Sequence, residues 1–391
     1  SILRAHFFDF YSTLAPRDID FNLSRHLLVF VHIPQTGGSD FDRNIVKHLH
    51  IRRRQQQQQQ RNNNSNQFQL ACSFESVVSF GEFNRENENL TKLVAFRLNK
   101  YKFRKYSCHR NQEPNENAAN ANENWYFSRQ TFGWVCGLHA DYTDLRRCVR
   151  NYYPNIDVER HDDDDNDVMF YTILRDPIKR YLSEWKHVSR GATWKPRKSQ
   201  QMASKCNEYA AYMRCFNGSP LWLNVTLDSF LACQTNLANN RQTRMLAHYD
   251  GKELKRFACF LNDIDNRTIH LKQKQQQQQL VDAYNRKMLH KAKENLNRMA
   301  FFAINEFQQQ SKALFEKTFV DPVDKKPLFR IDAQFEQLNS TFADQILNNN
   351  NDSIDAWSRL DKIRELNSLD IELYDYAVNL FRKRLKEFNI S

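Results

Sequence analysis

Apolar residues along the chain gather in two patterns, and the first is the short continuous run. Leu27–Ile33, Val168–Leu174 and Met299–Ile304 are rich in β-branched and aromatic side chains and are bounded by polar turns. Runs of this kind predict strands buried on both faces of a sheet. The second pattern is helical. After Leu27–Ile33, a turn holding Gly37 and Gly38 leads into Phe41, Ile45, Val46 and Leu49, spaced along one helix face. After Val168–Leu174, the turn Arg175-Asp176-Pro177 leads into Ile178, Tyr181, Leu182 and Trp185, with proline well placed for a first helical turn. Met299–Ile304 is followed by helical spacing over Phe307–Phe319. Strand, turn and helix recur, which predicts an α/β fold with a central, mainly parallel sheet flanked by helices.

Thr226–His248 reads as helix, a break at Asn239-Asn240, and helix again. A last long helix puts Leu369, Leu373, Tyr376, Leu380 and Phe381 on one face, with Asn367 or Ser368 as its cap. Between these elements lie polar tracts with too little apolar surface to pack, including Gln55–Gln60, Asn62–Asn64, Asn115–Asn124, His161–Asp167 and Gln275–Gln279. They read as low-complexity loop insertions near 52–67, 111–124, 159–167 and 273–279, after an aromatic lead-in over 1–26, and the length suits one elaborated α/β domain as well as two.

The strand ends carry the candidate chemistry. A glycine turn at a helix N-terminus presents amides with no intrahelical carbonyl partner, and the helix dipole favours negative charge there. The turn Thr36-Gly37-Gly38-Ser39 is thus a seat for a phosphate or sulfate, with two hydroxyl donors, and an ordinary turn is the plain alternative. The nucleotide-binding pattern G-x-x-x-x-G-K-[ST] is absent, because Ser39-Asp40 follow the glycines. Arg175 stands at the end of a second strand and Ser183 two turns into the next helix. Ligands in open α/β sheets sit beyond the carboxyl ends of the strands, so Arg175 and the glycine turn are expected to face one crevice and hold two anionic groups.

Among the 12 histidines, His139 lies in an aromatic-rich stretch with Arg129 and Trp134 and is the best general-base candidate, against the structural role of most lone histidines. Arg104 and Lys105 belong to a basic patch interleaved with Tyr101, Phe103 and Tyr106, either a solvated strand face or the rim of an anionic substrate site. His187, Arg190, Trp194 and Lys195 mix aromatic and basic groups in a way that suits an acidic sugar polymer or a plain helix end.

Composition narrows the partner. The 391 residues carry a formal charge of +11, which points to an anionic partner such as nucleic acid, a membrane surface or an acidic polysaccharide. Cys72, Cys108, Cys136, Cys148, Cys206, Cys215, Cys233 and Cys259 form an even set with no C-x-x-C pair, which disfavours zinc and favours disulfides. N-x-[ST] acceptors at Asn22, Asn63, Asn89, Asn217, Asn224, Asn266, Asn339, Asn351 and Asn389 point to the same secretory lumen. No apolar run approaches the ~18–20 residues that span a bilayer. No nucleic-acid motif accompanies the basic residues, so a nucleic-acid partner ranks last.

Six ordered blocks together resemble heparan-sulfate 6-O-sulfotransferases: Phe30–Ser39 (FVHIPQTGGS), Gly133–Asp141 (GWVCGLHAD), Leu174–Lys195, Asn236–Ala247, Met299–Phe302 (MAFF) and Leu373–Ala377 (LYDYA). The resemblance implies a P-loop-like sulfotransferase fold in one domain over 27–388 and a type II Golgi membrane anchor upstream of Ser1, with the domain in the Golgi lumen. It implies PAPS (3′-phosphoadenosine 5′-phosphosulfate) as sulfuryl donor, the 6-hydroxyl of glucosamine in heparan sulfate as acceptor, and no metal. In the family's pattern His32, Ile33, Pro34, Gln35, Thr36, Gly37, Gly38, Ser39 and Asp40 grip the 5′-phosphosulfate, while Arg175 and Ser183 hold the 3′-phosphate. Glu336, Gln337, Leu338, Phe342 and Ala343 match the stretch that closes over the nucleotide. His139 matches the catalytic base, and Arg104, Lys105, Arg129, Trp134, His187 and Trp194, with His139, fall at saccharide-contact positions.

Two positions depart from the pattern. Gln35 stands where the family's loop carries a lysine that donates to the sulfuryl and bridging oxygens, and Phe342 stands where an arginine is usual. Losing a comparable transition-state donor costs roughly 2.7–4 kcal/mol. The sequence therefore leaves two readings, an active 6-O-sulfotransferase and a weakly active or non-catalytic heparan-sulfate-binding relative.

Overall fold

Leu27–Val31 (β2) lies at the centre of the molecule with every residue buried, and it pairs in parallel on both sides. The computed structural model describes residues 19–23, 25–52, 68–79, 102–109, 124–137, 140–154, 167–191, 215, 222–233, 236–247, 271–321, 324–333 and 354–391. Strands, in chain order, are β1 (Ile19–Asp20), β2, β3 (Leu49–Arg52), β4 (Phe68–Leu70), β5 (Ser73–Ser79), β6 (Lys102–Ser107), β7 (Tyr126–Phe127), β8 (Val168–Leu174), β9 (Phe301–Ile304), β10 (Phe319–Val320) and β11 (Phe329–Ile331). The helices are α1 (Gly38–His48), α2 (Arg129–Phe132), α3 (Tyr142–Tyr152), α4 (Pro177–Ser189), α5 (Leu227–Ala232), α6 (Arg241–Leu246), α7 (Leu271–Arg298), α8 (Gln308–Thr318), α9 (Ile354–Leu366) and α10 (Ser368–Glu387).

The central sheet runs β7-β2-β8-β9 with every pairing parallel, the α/β architecture that the three apolar runs predict. Those strands read as continuous apolar runs because both faces are covered, and of their residues only Met169 is not fully buried. β7 is missing from the sequence reading, since two aromatic residues, Tyr126 and Phe127, are too few to show a period. An antiparallel sheet, β11-β3-β4, and the hairpin β5-β6 flank this core. Cys72 and Cys108 close the open end of that hairpin through a disulfide. Aromatic rings fill the space between the sheets: Trp125 stacks on Phe329 at 5.5 Å, and Phe315 meets Phe301 edge-on at 5.2 Å. Disulfides also join Cys136 to Cys148 and Cys215 to Cys233; Cys206 and Cys259 lie outside the described residues.

Two local expectations need correction. The glutamine run 275–279, expected as a loop insertion, lies within α7, whose second half is anchored by the buried Met288, Leu289, Ala292 and Leu296. Glutamine is a good helix former, so a helix nucleated by that half extends through it. The cap of α10 is likewise not its own Asn367 side chain, which donates to Ile363 O. Asn240 supplies it from across the fold, its Oδ1 accepting from Leu369 N at 3.0 Å and Asp370 N at 3.2 Å. Asn240 adopts a left-handed backbone (φ 47°) to reach that place, and its own N–H donates to Asn367 Oδ1. Among the described residues no helix is long and apolar enough to cross a membrane. Replacing Asn240 with Ala is expected to cost about 1–2 kcal/mol, through the lost cap and a left-handed backbone that alanine tolerates less well than asparagine, measured by urea unfolding. An unchanged unfolding midpoint would contradict that assignment.

Candidate active site

β2 ends at Val31 and the chain turns sharply before entering α1 at Gly38. Two left-handed residues make the turn, Gln35 at φ 64° and Gly37 at φ 84°. At Gly37 a Cβ would stand 2.1 Å from Asn305 Nδ2, and at Gly38 it would stand 2.7 Å from the Phe30 ring. Both glycines are therefore required by close approach. Thr36 is wholly buried and its hydroxyl donates to Ile33 O at 3.0 Å, while Asn305 Nδ2 donates to Thr36 O at 2.8 Å. The expected hydroxyl donation by Thr36 to an anion is thus committed to holding the turn. The first helical bonds of α1 run from Asp40 N and Phe41 N to Gly37 O, so the amides of Gly38 and Ser39 precede the ladder at the positive end of the helix dipole.

Arg175 follows the last residue of β8, the strand next to β2. Its Nη1 donates to Gln35 O at 3.1 Å and to Ser183 Oγ at 3.1 Å. One guanidinium thereby touches the glycine turn and the third turn's start of α4, as the strand-end rule predicts. Pro177 opens α4 and the Asp176 carboxylate caps it, accepting from Lys179 N at 2.9 Å. His187 lies one turn beyond Ser183 on the same helix; burial and then Arg190 lower its pKa. These groups bring together hydrogen-bond donors from two strand ends.

On another side, α1 and His32 meet α2 and the residues after it. Ser128 caps it through a reciprocal box with Thr131, placing Arg129 at its first turn. The Arg129 guanidinium lies 5.5 Å over the Trp134 ring, and Trp134 meets His32 edge-on at 5.9 Å. Beneath them Asp42 of α1 is fully buried, accepting from Tyr126 OH at 2.7 Å with Arg129 Nε at 3.7 Å. Tyr126 and Tyr171 join their hydroxyls below it. Burial pushes the Asp42 carboxyl up to about 6 against the pull of Arg129. Burial and then Arg129 hold His32 down to about 3, so its imidazole is neutral at physiological pH.

Arg104 and Lys105 sit on β6, which packs against α2. Arg104 is exposed, 6.0 Å over the Phe74 ring, and Lys105 pairs with Glu75 at 3.1 Å. The structure thus brings His32–Asp40, Arg175, Ser183, Arg129 and Trp134 to one region, with Arg104, Lys105 and His187 on adjoining elements. His139, Trp194, Glu336, Gln337, Leu338, Phe342 and Ala343 lie outside the described residues. Position 139 falls inside the loop closed by Cys136–Cys148, and Asp141 beyond it caps α3 by accepting from Asp144 N at 2.8 Å.

Sequence reasoning missed Asp42, Tyr126 and Asn305, each placed by a partner distant in the chain. Only Asn305 had a readable signal, since it follows the strand-like run Met299–Ile304 directly. Asp42 yields a prediction. Its carboxyl ordinarily titrates at 3.8 and here near 6, so the stabilisation of its protonated form is complete at low pH and lost as pH rises through about 6. Asp42→Asn imitates the protonated form, and its stability relative to the parent is expected to rise by about 2–3 kcal/mol from pH ~4 to ~7 in thermal unfolding. A difference that does not vary with pH would contradict the assignment.

No protein-family model matches the chain. Curated relatives do. Heparan-sulfate 6-O-sulfotransferase 3 of Mus musculus is 33% identical over 374 residues, covering 94% of this chain and 60% of that relative. Heparan-sulfate 6-O-sulfotransferase 3-B of Danio rerio is 33% identical over 384 residues, covering 96% of this chain and 69% of the relative. Heparan-sulfate 6-O-sulfotransferase 2 of Gallus gallus is 34% identical over 369 residues, covering 94% and 70%. The chain therefore spans about three fifths of the length of the mouse relative and about 70% of the other two. Similarity over nearly the whole chain, together with a parallel sheet that brings a glycine turn and an arginine into contact, places this chain in the heparan-sulfate 6-O-sulfotransferase family.

Proposed function

We propose that the chain transfers a sulfuryl group from PAPS to the 6-hydroxyl of glucosamine residues in heparan sulfate. The observation that carries this reading is the Arg175 guanidinium, hydrogen-bonded at once to the Gln35 carbonyl and the Ser183 hydroxyl. A donor with phosphosulfate at one end and a 3′-phosphate at the other needs two anion seats side by side, and the turn amides and Arg175 supply them. The glycine turn fits the group, because the amides of Gly38 and Ser39 precede the hydrogen-bond ladder of α1 at the positive end of its dipole. PAPS supplies a sulfuryl group already activated by a phosphate leaving group.

The protein's own residues do the rest. The amides at the start of α1 stabilise charge that develops on the sulfuryl oxygens and the departing phosphate, while the Arg175 cation holds the 3′-phosphate. Arg129 and Trp134 hold the saccharide, the first through its acidic groups and the second against a ring face. His139 takes the proton of the 6-hydroxyl as the oxygen–sulfur bond forms and the bond to phosphate breaks, a role worth typically ~10²–10⁴-fold. The Golgi lumen suits this assignment, since three disulfides join described cysteines and the acceptor residues Asn22, Asn224 and Asn389 are exposed.

A second reading has its own observation. Gln35 brings no charge to the turn, and its carbonyl already receives Arg175, which favours a weakly active or non-catalytic heparan-sulfate-binding relative. Incubation with labelled PAPS and N-sulfated heparan is expected to give 6-O-sulfated glucosamine, and label no higher than that of a His139→Ala control would refute the enzyme reading. Gln35→Lys is expected to raise an existing turnover by roughly 10²–10³-fold. If it instead creates turnover from none, with donor affinity unchanged, the second reading holds.

A further inference from the structure

We infer that Gln242 is a positioning residue for Arg175: one buried primary amide grips both backbone polar groups of that arginine and so sets where its guanidinium stands. Arg175 N donates to Gln242 Oε1 at 3.0 Å, and Gln242 Nε2 donates to Arg175 O at 2.9 Å. Arg175 sits just past the last paired residues of the sheet, where Leu174 meets Ile304 and the β2 pairing has already ended at Thr172. Its peptide groups therefore have no strand neighbour to continue the ladder. Gln242 imitates one, offering an acceptor and a donor with the spacing of a ladder rung.

The clamp is itself anchored. Gln242 is wholly buried, and its own N–H donates to Asp370 Oδ2 at 3.1 Å. Asp370 Oδ1 accepts from Thr243 N at 2.8 Å and Thr243 Oγ1 at 2.8 Å, so the start of α6 is capped by a carboxylate from α10. The peptide after Arg175 is held in the same way: Asp176 N donates to Glu306 Oε1 at 3.0 Å, and Glu306 Oε2 accepts from Tyr374 OH at 2.8 Å. Arg175 is thus registered against α6 and α10 as well as the sheet. Removing the amide leaves a buried N–H and C=O unpaired, and these recover partners only by turning the peptide, which swings the side chain. Only glutamine supplies donor and acceptor together at this length; an ionised glutamate accepts alone, and alanine does neither.

The inference rests on the proposed reading that Arg175 binds the donor nucleotide. Its test is calorimetric titration of the whole chain with 3′-phosphoadenosine 5′-phosphate and, separately, with a heparan oligosaccharide, alongside thermal unfolding. The variants are Gln242→Ala, Gln242→Glu and Arg175→Ala. Nucleotide affinity is expected to fall about tenfold in Gln242→Ala, and clearly in Gln242→Glu, while oligosaccharide affinity stays within about twofold of the parent. Gln242→Glu keeps the side-chain volume and the acceptor, so it decides the matter if the alanine variant does not fold. A merely structural role lowers the unfolding temperature and leaves both affinities of the folded protein alone, and that result overturns the inference. If Arg175→Ala itself leaves nucleotide affinity unchanged, the reading of Arg175 is at fault, and the inference falls with it.

Discussion

The parallel pairing of β2 with β8 is the constraint on which the site depends. Leu27 to Val31 lie in register with Val168 to Thr172, so both strands deliver their carboxyl ends to the same edge of the sheet. From that edge the glycine turn and Arg175 emerge as neighbours, 3.1 Å apart at the Gln35 carbonyl. A slip of the pairing by one residue would turn the alternating side chains of a strand to its opposite face. Both strands are apolar on both faces, so burial alone does not choose the register. The Thr172 hydroxyl, donating to Val31 O at 2.9 Å inside the core, is one contact that does.

Around this edge the protein buries charge in a deliberate arrangement. Arg180 and Glu184 of α4 are fully buried, with Arg241 of α6 and Asp370 of α10 beside them. Burial alone would push the Glu184 carboxyl up, but Arg241 and Arg180 hold it down at about 2, so the glutamate stays ionised. Such clusters gain little stability over apolar packing, yet breaking one partner leaves an uncompensated charge at a cost of about 3–5 kcal/mol. What they fix here is geometry. α4, α6 and α10 share one set of ion pairs, and those helices hold Ser183, Gln242 and the cap on Gln242. The second buried group, Asp42 with Tyr126 and Arg129, ties the helix of the glycine turn to the aromatic wall.

The backbone of the site was legible in the sequence because burial on both faces writes itself as continuous apolar runs, and β2, β8 and β9 emerge where those runs lie. The Arg175-Asp176-Pro177 turn was legible for a local reason, since a capping aspartate and a first-turn proline are fixed in position. What sequence could not show was long-range partnership. Arg180 and Glu184 have the spacing of a surface ion pair, and only Arg241, far along the chain, explains why both are buried. Asp42 looks like any acid on the polar side of a helix until Tyr126 is folded against it. Leu49 fits the helical period of α1 and is instead the first residue of β3, because one buried leucine satisfies either pattern. Gln242 was recognisable as part of a family block, while its task depends on a strand end that no spacing within the block reveals.

The central claim is that two neighbouring strand ends hold the two ends of one sulfonucleotide. A crystal structure of the chain with 3′-phosphoadenosine 5′-phosphate tests it most directly. The account predicts the 5′-phosphate against the amides of Gly38 and Ser39, and the 3′-phosphate within hydrogen-bond distance of the Arg175 guanidinium and the Ser183 hydroxyl. A nucleotide seated elsewhere, or one whose 3′-phosphate makes no contact with Arg175, would contradict it.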